Sequence, residues 1–190
     1  DGVNVNNDTI TITADGTYRL SGEYNGQVKI EAGKSDTVRL VLDNAKITNS
    51  TGPAINVAGA GEAIIYTASG TANTIADGAN YAAKGADDPD AAIYSTANLT
   101  LAGEGSLSVK GSYKAGVHTT DGLVIANGTL DVNAAKAGIK GKDYVDIVGG
   151  TVKVTAGQDG IKSTNTDDEN KGFTRLSDGS VTISAGVDGL

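Results

Sequence analysis

Asn56, Tyr94, His118, Lys140 and Lys162 each follow an Ile or Val by one position (Ile55, Ile93, Val117, Ile139, Ile161) within a recurring sequence pattern. Neighbouring residues of an extended chain point to opposite faces. If the aliphatic residues turn inward, these five turn outward into one column. Stacked at roughly 4.8 Å, they make a strip of one aromatic ring and three potential cations, and like charges this close repel unless something anionic lies on them. That chemistry suits a groove for an acidic or neutral sugar chain, with Tyr94, His118, Lys140 and Lys162 facing the sugar. The plainer reading is a solvated edge, because Lys is an ordinary outward residue.

Two or three residues beyond this strip comes an Asx station, Asp121, Asp143 and Asn165. Asp and Asn bond backbone groups at turns, so a stacked corner ladder is one reading. A cation held between adjacent carboxylates is the other. Asn165 opens the insertion Thr166-Asp167-Asp168-Glu169-Asn170-Lys171-Gly172, in the same repeat as Asp159, and Asp87, Asp88 and Asp90 form a similar cluster. Dense oxygen donors suit a hard cation such as Ca²⁺, which takes six to eight oxygens. The spacing fits neither an EF-hand loop nor the Gly-rich nonapeptide of calcium-binding β-rolls. A solvated acidic loop is the bland alternative. Calcium is preferred, because carboxylates packed this densely need a counter-charge. Tyr144 and Phe173 share another column, two residues before Asp146 and Arg175, so both are expected to face outward as a pair able to stack on pyranose faces.

Other chemistries lack their residues. There is one His and no Cys, no Ser-His-Asp arrangement can be built, and no Gly-rich phosphate loop sits between strand and helix. Hydroxyl columns Thr129/Thr151/Ser180 and Asn133/Thr155/Ser184 raise an ice-binding face, but Asp131 and Lys153 interrupt it and Thr is simply favoured in strands.

The element that must position these groups is a repeat. Ala115–Lys136 and Ala137–Gln158 are two 22-residue copies; a third starts at Asp159 and takes the seven-residue insertion; a fourth opens at Asp188. Down the columns run Gly116/Gly138/Gly160, Leu123/Val145/Thr174, Ile125/Ile147/Leu176, Leu130/Val152/Val181 and Val132/Val154/Ile183. Within each copy apolar and polar residues alternate, the period of half-buried strands. Three short strands per copy, stacked copy on copy, predict an all-β, single-stranded parallel β-helix in which inward columns form aliphatic ladders.

Upstream, residues 1–25 hold alternating strands but do not fit the template and are expected to form an atypical terminal coil. Residues 27–52 read as an early coil, another opens at Pro53, and a long polar, Gly/Ala-rich loop follows Tyr66 as far as Asp90. The coil from Ala91 is 24 residues long. About seven coils make one 1–190 domain, a rod roughly 34 Å tall at one strand spacing each. The missing Met and the repeat that opens at Asp188 suggest a processed piece of a longer protein. No apolar run approaches a membrane span. A net charge of −8 disfavours nucleic acid.

The motifs PAINV (53–57), DDPDAAIYS (87–95), GIKGKD (138–143) and DGIKSTNTDDENKG (159–172), followed by GSVTISAGVDGL (179–190), resemble a bacterial family of carbohydrate-binding β-helix proteins. That family is similar in fold to the pectate-lyase-type polysaccharide lyases. The resemblance implies a right-handed helix and a secreted protein, and a monomer is expected. It also implies binding of cellulose or acidic polysaccharides such as polygalacturonate, with bound calcium. Such lyases use Ca²⁺ to hold and acidify a uronate and a Lys or Arg to remove its proton. Lys140, Lys162 and Arg175 stand near the acidic positions, but none matches a lyase motif residue by residue, so no catalytic residue is carried over. The expected function is polysaccharide binding. The alternatives are a calcium-dependent lyase with Lys140 or Lys162 as base, and a structural or adhesive solenoid.

Overall fold

A computed structural model describes residues 2–82 and 84–190. The chain is all-β, with parallel sheets curling around an axis in a β-helix-like fold. Its front face stacks Thr9–Ile12, Gln27–Glu31, Ile55–Gly59, Ala91–Ser95, Ala115–Thr119, Ile139–Gly141 and Ile161–Ser163 in parallel register. Each strand leads around a corner to a second face (Glu62–Thr67, Asn98–Gly103, Gly122–Ile125, Tyr144–Ile147, Phe173–Leu176). It then reaches a third (Ala72–Asp77, Ser106–Gly111, Thr129–Ala134, Thr151–Ala156, Ser180–Ala185).

Near the N-terminus the long strands Gly16–Asn25 and Thr37–Asn49 run through the corner between the second and third faces, which joins those faces into one sheet. The bend is a bulge: Ser21 pairs with Asp43 and Gly22 with Ala45, leaving Asn44 unpaired at φ 52°. An extra residue kinks a strand, and Asn tolerates this left-handed conformation. Residues 9–25 therefore already supply strands paired in parallel with the next rung, and the atypical piece is Val3–Asn6, which folds back antiparallel on Thr9–Ile12.

The predicted ladders are in register. Val28, Ile55, Ile93, Val117, Ile139 and Ile161 stack down the front face, each with no exposed surface. Burying such a side chain stabilises by about 1.5–3 kcal/mol, so the shared column fixes the register of everything it carries outward. Leu176 keeps its column but is 54% exposed at the C-terminal end of the stack. Between the second and third faces, Gly128, Gly150 and Gly179 adopt φ of 88°, 88° and 94°, a region in which a side chain is strained.

The long loop expected between Tyr66 and Asp90 contains a strand, Ala72–Asp77. Its inward positions are Asn73 and Ile75 where other rungs carry two aliphatics, so the alternation was masked. Asn73 is buried yet satisfied: its Oδ1 accepts Ala45 N–H at 2.9 Å, and its Nδ2 donates to Thr71 Oγ1 at 3.0 Å and to Ser106 O at 3.2 Å. It bonds the backbone just beyond the bulged Asn44, which a Leu could not do.

Candidate functional site

The predicted outward strip exists. Lys29, Asn56, Tyr94, His118, Lys140 and Lys162 are consecutive register partners on the front face, Lys29 extending the set by one rung. Its exposure is uneven. Tyr94 and His118 are only 6% and 7% exposed, although their side chains point away from the ladder. They lie beneath segment 84–90, whose Asp90 Oδ1 contacts His118 Nδ1. The Tyr94 and His118 rings meet edge to face at 5.2 Å and 81°. Burial, followed by the carboxylates of Asp90, Asp87 and Asp88, pushes the Tyr94 hydroxyl pKa up. These two residues therefore hold the overlying segment and are not an open sugar platform, which corrects the sequence expectation.

The chain leading to this segment is anchored where it leaves the third face. Tyr81 donates its hydroxyl to Asp77 Oδ2 at 2.7 Å and also approaches Ala91 O at 2.8 Å. Ser112 N–H donates to Asp77 Oδ1. Burial raises the Asp77 pKa despite these donors, and burial together with the bond to Asp77 raises that of Tyr81. The Tyr81 ring stacks on Tyr113 at 4.2 Å and 22°, and Lys114 Nζ lies 5.0 Å from the Tyr113 ring centre. None of Asp77, Tyr81, Tyr113 or Lys114 was picked out in the sequence. The available signal was the over-long 24-residue coil: three residues separate Gly111 from Ala115, against two between Ala134 and Ala137 one rung on.

Lys114, Lys140 and Lys162 form the cationic part of the site. Lys140 is half-buried and makes no ion pair among the described residues. Burial lowers its pKa, Asp90 opposes that, and Lys162 and Lys114 add to it. Lys162 Nζ sits 2.5 Å from Asp159 Oδ2, a bond that draws the Asp159 pKa down. At Asp90, burial favours the neutral acid. The bond and charge of His118, with Lys140 and Lys114, outweigh it and hold the carboxyl below its usual range.

The acidic station lies at the opposite edge of the front face, where the chain turns to the second face. Asn165 Nδ2 donates to Asp143 Oδ1 at 2.8 Å and Lys171 Nζ to Asp143 Oδ2 at 2.7 Å. Burial pushes Asp143 up, but these two donors bring it below the ordinary carboxylate range. Asp121 Oδ1 accepts the N–H of Gly122 at 3.0 Å. Asn165 Oδ1 accepts from the N–H groups of Asp167 and Asp168, and Asp168 Oδ1 from that of Asn170. Glu169 is exposed.

The ten expected calcium ligands are thus divided among three places: Asp87, Asp88 and Asp90 on the overlying segment; Asp159 beside Lys162; and Asp121, Asp143, Asn165, Asp167, Asp168 and Glu169 at the far corner. Their oxygens are of the hard type calcium takes, yet Asp90, Asp143 and Asp159 each face a basic side chain and Asp88 accepts Gly85 N–H. Among the described residues no three His, Cys, Asp or Glu side chains converge as a metal cluster. The donor set fits calcium only if a lysine ammonium moves aside.

Tyr144 and Phe173 stack as expected, centroids 5.6 Å apart and 11° from parallel, with Phe173 38% exposed. The Tyr144 ring has room because Gly122 lies beneath it: a Cβ there would be 2.2 Å from the ring. Arg175 lies 5.8 Å from the Phe173 ring centre and pairs with Asp146. This platform is on the second face, around a corner from the lysines, so the six expected sugar-binding residues make two places and not one.

Comparison with known proteins gives this geometry a context. A family model described as carbohydrate-binding domain-containing protein matches residues 6–190. A protein of that description from Acetivibrio thermocellus is 42% identical over 193 residues, spanning 100% of this chain and 68% of the relative. Among solved structures, the polysaccharide lyase-like protein from C. thermocellum, as a gadolinium derivative, superposes with a TM-score of 0.94 at 32% identity, over 99% of this chain and 86% of that one. The chain belongs to the carbohydrate-binding domain-containing protein family.

Proposed function

We propose that this chain is a secreted, monomeric, right-handed β-helix of about seven coils that binds an acidic polysaccharide such as polygalacturonate along its front face. The observation that carries this reading is Lys140, a half-buried ammonium without an ion pair among the described residues and within the field of Lys114 and Lys162. Lys162 is already paired with Asp159, so Lys140 beside Lys114 is the local surplus of positive charge, on a chain of net charge −8, that a uronate carboxylate relieves. Tyr113, stacked on Tyr81 beside Lys114, adds a ring edge to the same corner. The Tyr144–Phe173 pair, with Phe173 exposed and Tyr144 partly so, supports cellulose as a further ligand, stacked on the second face. Affinity electrophoresis in polygalacturonate gels tests the main reading. Replacing Lys114, Lys140 and Lys162 together by Ala abolishes retardation, whereas unchanged retardation refutes the site.

Calcium enters this reading at Asp121, Asp143 and Asn165, in exchange for the Lys171 ammonium. The oxygen donors there support it, as does the solved relative's preparation with gadolinium, a hard cation. Lys171→Met then raises calcium affinity in a calorimetric titration; an unchanged or weaker affinity removes that seat. A second reading, a lyase, rests on Lys140 as a half-buried ammonium without an ion pair among the described residues, whose pKa burial shifts downward, the direction a general base needs. Ultraviolet absorbance from an unsaturated uronate product, lost in Lys140→Ala, identifies a lyase, and no product with calcium present dismisses it.

A further inference from the structure

A groove of about 770 Å³ lies away from the lysines, along the N-terminal part of the corner where the third face turns into the front face. Asn25, Thr48, Ala76 and Lys110 are consecutive register partners along it, so it spans three rung spacings, about 14 Å. Gly26 and Gly78 keep it open. A Cβ at Gly26 would stand 2.2 Å from Asp8 O, and one at Gly78 would stand 2.2 Å from Ser50 O. Backbones of successive rungs abut there, and no side chain projects at either point.

The lining is polar and only partly spent. Gln27 Nε2 donates to Pro53 O at 3.0 Å and Thr48 Oγ1 to Asn25 Oδ1 at 2.5 Å. The amide oxygen of Gln27, the amide nitrogen of Asn25 and the ammonium of Lys110 make no side-chain hydrogen bond among the described residues. Unspent donors (Asn25 Nδ2, Lys110 Nζ) and an unspent acceptor (Gln27 Oε1) are therefore both present along the corner, as sugar hydroxyls require. Other ligand classes fit poorly. Asp8 and Asp77 beside Lys110 leave the wall without net positive charge among the described residues, which disfavours uronates and phosphates. A peptide strand needs a free sheet edge, but Gly26 N–H already donates to Thr48 O and Gln27 N–H to Asp8 O.

We propose that this corner groove is a second carbohydrate site, taking a neutral oligosaccharide of about three pyranose units laid along the helix axis. Recognition is by hydrogen bonding, since no aromatic ring among the described residues lines the groove. The proposal rests on membership of the carbohydrate-binding family and is independent of the lysine site.

The test is a ¹H–¹⁵N NMR titration of the whole chain with cellotriose, xylotriose and mannotriose, and separately with trigalacturonate. At least one neutral trimer saturably shifts the backbone amides of Gly26, Gly52 and Gly78 and the side-chain amides of Asn25 and Gln27, while trigalacturonate leaves them in place. Thr48→Trp fills the groove and weakens that binding at least about tenfold, with circular dichroism confirming the fold. If none of the three neutral trimers moves these signals, or Thr48→Trp binds like the native chain, the proposal is overturned. A failure of the lysine site appears instead as trigalacturonate moving nothing, so the two outcomes are separable.

Discussion

Replacing Gly138 by Ala tests how closely the front face rests on the third. A Cβ at Gly138 would lie 2.2 Å from Val154 Cγ1 and 2.5 Å from Gly160 O. Neither neighbour can yield cheaply. Val154 is 1% exposed in a filled ladder, and Gly160 O accepts the Ile139 N–H bond at 2.9 Å, so moving it opens the front-face ladder beside Lys140. Overpacking typically costs about 1–3 kcal/mol, and two fixed neighbours put this case near the top, about 3 kcal/mol. A chain of this length shifts Tm by about 2–4 °C per kcal/mol, so thermal unfolding followed by circular dichroism falls by about 6–12 °C. Gly189→Ala is the matched control, since a Cβ there meets nothing within 4 Å; its change stays within about 0.5 kcal/mol. Gly138→Ala also displaces the strand that carries Lys140 and so weakens polygalacturonate binding. A Gly138→Ala Tm equal to that of Gly189→Ala would refute the close approach of the two faces.

Three further predictions concern the parts that hold the site. Asn73→Ala orphans the buried Ala45 N–H and costs about 1–3 kcal/mol, lowering Tm by about 2–12 °C in the same assay. The Asp90 carboxyl has a depressed pKa in the folded chain. Its stabilisation is therefore present above the unfolded value of about 3.9 and is lost as pH falls through the folded value. Asp90→Asn lowers Tm by about 2–8 °C at neutral pH, and the gap to the native protein narrows as the pH of the melt falls below the unfolded carboxylate value and through the depressed folded one. Phe173→Ala removes a stacked pair worth about 0.5–1.5 kcal/mol beyond its area and, where cellulose docks on this platform, reduces retention on cellulose while leaving polygalacturonate binding intact.

The rungs were legible because burial enforces them. An Ile or Val must recur at one station to fill the front ladder, and that fixes the register of His118, Lys140 and Lys162 one residue later. The covering of Tyr94 and His118 was not legible. The alternation that sends them outward carries no information on whether a distant segment folds back over that face. The partners that hold the segment, Asp77 with Tyr81 and Asp90 with His118, are ordinary polar residues in a stretch without periodicity. The same limit hid the role of Lys171. Counting carboxylates near Asp143 predicts a need for positive charge, but not that the chain supplies it from its own insertion. The strand Ala72–Asp77 escaped because Asn73 replaces an aliphatic residue where a bulged backbone needs a hydrogen-bond partner.

The central claim, that clustered lysines on the front face read an acidic polymer, is tested most directly by calorimetric titration of polygalacturonate. The native chain and the variant carrying Lys114→Ala, Lys140→Ala and Lys162→Ala are compared in EDTA, where calcium bridging is absent. Saturable binding to the native chain, weakened at least about tenfold in the variant and further by added salt, is the predicted result. Equal binding by both proteins, or none by the native chain, would contradict it.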